Sequence, residues 1–227
     1  MHRPITASLL VLASLAAAPR LRAQDDAPAF PTTSVPARAA RVAAFVPRGW
    51  AAAAEVSGDL NGDGRPDRVV HLVPQGTYYR PGAITAAPES QALLILLADG
   101  GRYRRAGLAT HLLQEIVPQW GFEMNIRRGV LIIRQNYGMT EVMDVTHRFR
   151  LDPANGRFLL IGADRFFYTR PQEAADSRKV SENYLTGVRL ITIGHFDDAG
   201  RYSEREQRET IPRTKTYFDD IVEDDEG

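Results

Sequence analysis

From Trp50 onward the chain never sustains apolar residues at helical spacing. Strand-length apolar runs alternate instead with clusters of Gly, Asp and Asn. This rhythm constrains the fold more than any other feature, because a helix needs an apolar stripe recurring every three to four residues, whereas a strand needs only alternation and a turn at each end. "DRVVHLV" (Asp67 to Val73) is the first such run. "QALLILLA" (Gln91 to Ala98) is apolar throughout, which suits a central strand covered on both faces or a short buried helix. "ADGG" then turns the chain into "RYRRAGLA", the outline of a hairpin. Two strands flank "RRG" in "GFEMNIRRGVLIIRQN", where Gly129 can take a left-handed turn position. Two more flank "DPANG", between "VMDVTHRFRL" and "RFLLIGADRFFY", and "VSENYLTGVRLITIG" carries the last clear strand before the turn "FDDAG". The expected fold is all-β, a mostly antiparallel meander or sandwich-like sheet, with room for one short helix near "THLLQEI". "AAAAEV" (Ala51 to Val56) fits a helical turn or a strand equally.

The ends read differently. Residues 1–23 form a signal peptide: a positive start, an apolar run from Ile5 to Ala18 too short for a membrane span, and removal expected after Ala23. An uncleaved anchor or a misread start is the alternative. Residues 24–41, rich in Ala, Pro and Thr, read as a flexible or extended leader. Phe45 and Trp50 are the first residues expected to dock on the core of a β domain spanning 42–200. Residues 201–227 read as a charged, solvated tail that lays "YFDDI" against the domain edge. With 28 basic and 28 acidic residues there is no basic field for nucleic acid or anionic lipid, and losing Arg3, Arg20 and Arg22 leaves the mature chain mildly acidic. Cysteine is absent. That excludes disulfides, a lipid-bearing cysteine, thiol catalysis, zinc–thiolate and iron–sulfur sites.

One loop carries chemistry. "GDLNGDGRPD" (Gly58 to Asp67) gathers Asp59, Asn61, Asp63 and Asp67 just ahead of the first strand. Carboxylates ~4 Å apart repel by up to about 4 kcal/mol per pair at an effective dielectric of ~20. Counting from Asp59, side-chain oxygens fall at positions one, three, five and nine, Gly64 stands at six, and Arg65 at seven can offer its carbonyl. This is calcium-loop spacing, and hard oxygen donors on a flexible loop suit Ca²⁺ better than Mg²⁺. Val70 stands where an EF-hand places its bidentate Glu, and the exit is a strand, so no helix–loop–helix sensor is expected. An ion-free, Asx-rich surface turn is the plain alternative. "GDLNGDGRPDRVV" resembles the calcium loop of FG-GAP (VCBS-like) repeats, found in integrin α-type propellers and in exported bacterial proteins. The resemblance implies Asp59, Asn61, Asp63, the Arg65 carbonyl and Asp67 as ligands. Propellers of that family need several such loops, so one copy implies at most an incomplete, propeller-like sheet. "VPRGW", "ALLILLADGGRY", "THRFRL", "FLLIGAD" and "SENYLTG" extend a looser likeness to uncharacterised exported proteins with a single loop.

No catalytic constellation stands out. His2, His71, His111, His147 and His195 form no i, i+4 pair, and neither HExxH nor GxSxG occurs. His71 and His147 lie inside strand patterns and read as core-edge or solvent-facing residues. Asn183 to Gly187 reads as a turn, and Phe166, Phe167 and Tyr168 read as core before a sugar-stacking platform. Asp144 and Asp164 could form a glycosidase acid pair only if the fold brought them together. The expectation is a periplasmic or extracellular, calcium-stabilised β module. It would be monomeric, with no membrane span after signal removal, and would serve a structural or interaction role toward a protein or glycan at the cell envelope. Two rivals stand beside it. One is a calcium-dependent carbohydrate- or peptidoglycan-binding module, marked by Trp120, Tyr137 or Tyr168 exposed in one groove. The other is an envelope hydrolase with a structural calcium, marked by a pocket holding a histidine or paired acids.

Overall fold

The structure, a computed structural model, describes residues 29–76, 90–113, 119–138, 140–169, 176–197 and 199–221. The segment expected to be a signal peptide and the first residues of the expected leader lie outside them. The chain is all-β, and its described residues fold into two antiparallel sheets that do not close into a barrel.

The first sheet contains β1 (Arg38–Ala39), β2 (Trp50–Gly58), β3 (Asp67–Pro74), β4 (Ala92–Asp99) and β5 (Arg102–Ala109), in the order β1-β5-β4-β3-β2. The second is an unbroken meander of β6 (Gln119–Arg127), β7 (Val130–Gly138), β8 (Glu141–Leu151), β9 (Phe158–Thr169), β10 (Ser177–Asn183), β11 (Val188–Phe196) and β12 (Tyr202–Thr210). The hairpins expected around "ADGG", "RRG" and "DPANG" all form. At "RRG" both Arg128 and Gly129 take positive φ, as a tight two-residue turn matching strand twist requires. "AAAAEV" resolves as strand, within β2. Of "THLLQEI", Thr110 to Leu113 form bends, and the remainder lies outside the described residues.

The continuous apolar stretch of β4 has a direct explanation. Leu93, Ile95 and Leu97 point into the core between the sheets, with Val69, Leu131, Ile133, Phe149, Phe158 and Leu160. Ala92, Leu94 and Leu96 point the other way, into a second core with Val70, Leu72, Phe45 and Trp50. A strand buried on both faces has no use for alternation.

That second core needs a cover, and residues 29–50 supply it. Phe30 packs edge-on against Trp50 at 4.6 Å, Val35 is buried, and β1 pairs with β5. Residues 29–41, expected within a flexible leader, are therefore docked on the first sheet. The other end of the chain also differs from a free tail, since residues 202–210 form β12, the outermost strand of the second sheet. Beyond it "YFDDI" does lie against the domain. Phe218 is fully buried, edge-to-face with Phe149 at 5.2 Å. Gly107 makes that contact fit, because a Cβ there would stand 2.9 Å from the Phe218 ring.

Candidate functional site

The Asp-rich loop joins β2 to β3 at one end of the sandwich. Gly62 and Gly64 take φ values of 80° and 76°, a left-handed conformation that L side chains adopt only with strain. These two turns aim main-chain amides at carboxylates. Asp59 accepts from the amides of Asn61 (3.2 Å), Gly62 (2.7 Å) and Gly64 (2.9 Å). Asn61 Oδ1 accepts from the Asp63 amide, and Asp63 from that of Arg65. The Gly64 amide leads the donors that hold the Asp59 carboxyl below its ordinary range.

Asp67 plays a different part. It is fully buried, and its two oxygens accept from the amides of Leu60 and Ala98, each at 2.8 Å. Leu60 is itself buried between the sheets, so Asp67 fastens the loop to the core and to the end of β4. Burial raises the Asp67 carboxyl above its usual range, the two amides oppose that rise, and the negative charges of Asp63 and Asp59 add to it. The fold thus brings Asp59, Asn61, Asp63 and Asp67 to one loop, with the first three toward solvent and the fourth turned inward.

The donor set fits a hard cation. All these groups present oxygen; Asp59 Oδ1 already accepts two amides, whereas Asp59 Oδ2 and both Asp67 oxygens accept one amide each and keep a further lone pair. Among the described residues no three acidic or imidazole groups suffice to hold a metal by themselves. A cation here would therefore depend on Asn61 and the Arg65 carbonyl as well. The loop also holds a positive group of its own, since the Arg65 guanidinium lies 3.1 Å from Asp63. That side chain is more than half exposed, so it can move aside.

A second feature is a groove of about 990 Å³ on the outward face of the second sheet, reached by side chains from β6 to β12 and walled on one side by Ala54 and Val56 of β2. The sequence reading missed it, because only pairing register shows which polar residues share a face. Asp144 and Asp164 both line it, on adjacent strands and diagonal across the β8–β9 ladder. Each is held by arginine. Arg134 grips Asp144 through Nε at 2.9 and 3.0 Å, and Arg148 and Ser181 both donate to Asp164 at 2.6 Å. Burial opposes ionisation of Asp164, but those two donors outweigh it and hold the carboxyl below its usual range. A general acid needs the reverse shift, so Asp164 is poorly placed to deliver a proton.

The aromatic candidates separate. Tyr137 is buried, its hydroxyl 2.9 Å from Met143 Sδ, and the Trp120 side chain lies outside the described residues. Tyr168 is half-buried and stacks at 5.0 Å on Phe166, which lines the groove. The histidines stand apart from it. His71 is fully buried against Phe122, with Nε2 2.9 Å from Gln91. His147 is buried in β8 and its Nδ1 has no hydrogen-bond partner. His111 is exposed, and His195 is an exposed partner of Asp176 at 2.7 Å. A further cluster, invisible in the sequence, lies on the other face of the second sheet. There the buried Glu182 receives Arg165 (2.8 Å), Arg189 (2.8 Å) and the Tyr184 hydroxyl (2.7 Å). It is fully paired and reads as a strut for β9, β10 and β11. Compared with protein-family models, with curated proteins and with solved structures, the chain finds no match in any of the three.

Proposed function

We propose that this protein is an exported, calcium-stapled β-sandwich module that works by interaction or structural support at the cell envelope, without catalysis. The observation that carries the reading is the Asp59–Asp67 loop. Its oxygens gather at the end of the sandwich where β2, β3 and the β4 terminus meet, and Asp67 ties them to the core. Asp59, Asn61, Asp63, the Arg65 carbonyl and Asp67 would hold Ca²⁺, as the likeness to FG-GAP loops suggests. The ion would neutralise the crowded carboxylates and rigidify the turn. The signal-like first residues support a periplasmic or extracellular location.

Loops of this kind in extracellular modules bind with Kd of ~10⁻⁴–10⁻³ M. At ~1 mM Ca²⁺ that amounts to about 0.4–1.4 kcal/mol, or roughly 1–6 °C in Tm. Calorimetry in EDTA and in Ca²⁺ tests it. The expected result is a shift of that size that disappears in Asp63→Ala, whereas superimposable melting curves for the unaltered protein refute the staple.

A second reading is a calcium-dependent carbohydrate- or peptidoglycan-binding module. The Phe166–Tyr168 stack beside a polar groove favours it, since sugars pair an apolar ring face with hydroxyls that arginine and carboxylate can bind. Retention on insoluble peptidoglycan, lost in Phe166→Ala, would support this reading. Flow-through of the unaltered protein would remove it.

A further inference from the structure

The outer edge of β12 is long and bare. Tyr202 to Arg208 are all exposed, the pairing with β11 runs over nine residues without a bulge, and among the described residues nothing pairs with the far side of the strand. Sheet edges are normally blunted by proline, bulges or short strands. Here only charge is present, and it follows a pattern.

Two hydrogen bonds fix which main-chain groups face outward. Asp197 donates to the Arg201 carbonyl and Ile211 donates to the Gly187 carbonyl, so the hydrogen-bonded pairs of the β11–β12 ladder fall on odd-numbered residues of β12. The amides and carbonyls of Glu204, Glu206, Arg208 and Thr210 therefore point to the open edge. A second antiparallel strand can bond there only in registers that set its own outward-facing residues against these.

We infer that this partner is β12 of a second copy of the chain, paired antiparallel about a two-fold axis at Gln207. The segment "REQRE", Arg205 to Glu209, is antisymmetric in charge about its centre. In the Gln207-centred register Glu206 faces Arg208 of the second copy, Arg205 faces its Glu209, and both contacts occur twice by symmetry. Gln207 faces its own equivalent. Glu206 and Arg208 are the outward-bonding residues, so the best charge match falls in a register that main-chain bonding permits. The neighbouring permitted registers are worse. Centring on Glu206 or on Arg208 sets like charges face to face, and centring on Arg205 adds two Glu204–Glu206 contacts. The same charges that repel an unrelated strand thus select a copy of this one. The product is an isologous dimer with one continuous sheet, the two grooves lying on the same face of it. Such a dimer departs from the expected monomer; residues 202–210, an edge strand and not a solvated tail, supply its interface.

Glu206→Arg and Arg208→Glu change exposed side chains only, so both variants should keep the wild-type circular dichroism. In sedimentation equilibrium up to ~1 mM protein, the wild type should approach twice its monomer mass. Each variant alone should stay monomeric, and an equimolar mixture should recover the dimer, because the two altered edges complement each other. The chain lacks cysteine, so Gln207→Cys introduces a single thiol. Oxidation should convert it to a covalent dimer far faster than Arg205→Cys, whose counterpart lies two positions from the axis on each strand. A monomeric wild type across this range, a dimer indifferent to both charge reversals, or equal cross-linking at 205 and 207 would each overturn the proposal.

Discussion

Two imidazoles sealed in the interior should make this fold sensitive to mild acid. Burial is the leading cause for each and holds His71 and His147 at about 4, far below the ordinary 6.5. At His147 the cations of Arg165 and Arg148 add to that depression. A folded-state pKa below the unfolded value means that the unfolded chain binds protons first. Stability is therefore whole above pH 6.5 and drains as pH falls toward 4. With those values linkage gives a loss of about 2 kcal/mol per histidine between pH 7.5 and pH 5.0. The lowered carboxylates, Asp164 and Glu182 among them, titrate beneath this window, and Asp67, whose carboxyl is raised, contributes with the opposite sign. His147→Leu is the informative change, because Nδ1 leaves no partner behind. Urea unfolding at both pH values should show wild type and variant within about 1 kcal/mol at pH 7.5. At pH 5.0 the variant should retain about 2 kcal/mol that the wild type loses, roughly 1 M in urea midpoint. An equally steep acid loss in His147→Leu would refute the assignment.

Three further perturbations probe the anchor of the loop, the strut across β9 to β11, and the C-terminal segment. Asp67→Asn sets an amide nitrogen against the Leu60 or the Ala98 amide, and should cost about 2–4 kcal/mol in EDTA as well as in Ca²⁺; a loss seen only in Ca²⁺ would mean that Asp67 serves the ion and not the core. Glu182→Gln leaves Arg165 and Arg189 without their shared counter-charge and should lower stability by about 3 kcal/mol at pH 7. Because the donors around Glu182 hold its carboxyl below the usual range, that contribution should persist in the wild type until pH falls under the ordinary glutamate range. Phe218→Ala empties a core position against Phe149 and Gly107, so a loss of about 3–5 kcal/mol in urea unfolding and faster proteolytic removal of residues 211–221 are expected.

Local pattern carried the strands and the loop. Alternation in "THRFRL" and turn chemistry at "DPANG" report the pleat and the bend where they stand, and "GDLNGDGRPD" declares its oxygens and the bend at Gly64 by spacing alone. These are properties of neighbours in the chain, so a single sequence holds them. Contacts between distant segments leave no such period. Phe30 and Val35 stand singly among Pro, Thr and Ala, yet they cover β4 because a finished sheet offers them an apolar face. Phe218 sits in an acidic segment and is buried only because Gly107, more than a hundred residues earlier, leaves it space. Asp144 meets Arg134, and Asp164 meets Arg148, through strand register. Asp67 turns inward because the backbone of β4 ends beside it. Sequence decided where the chain extends and bends, and where oxygen donors gather. Tertiary structure decided which faces are covered, which charges neutralise one another, and which edge remains open, since those depend on what arrives from far along the chain.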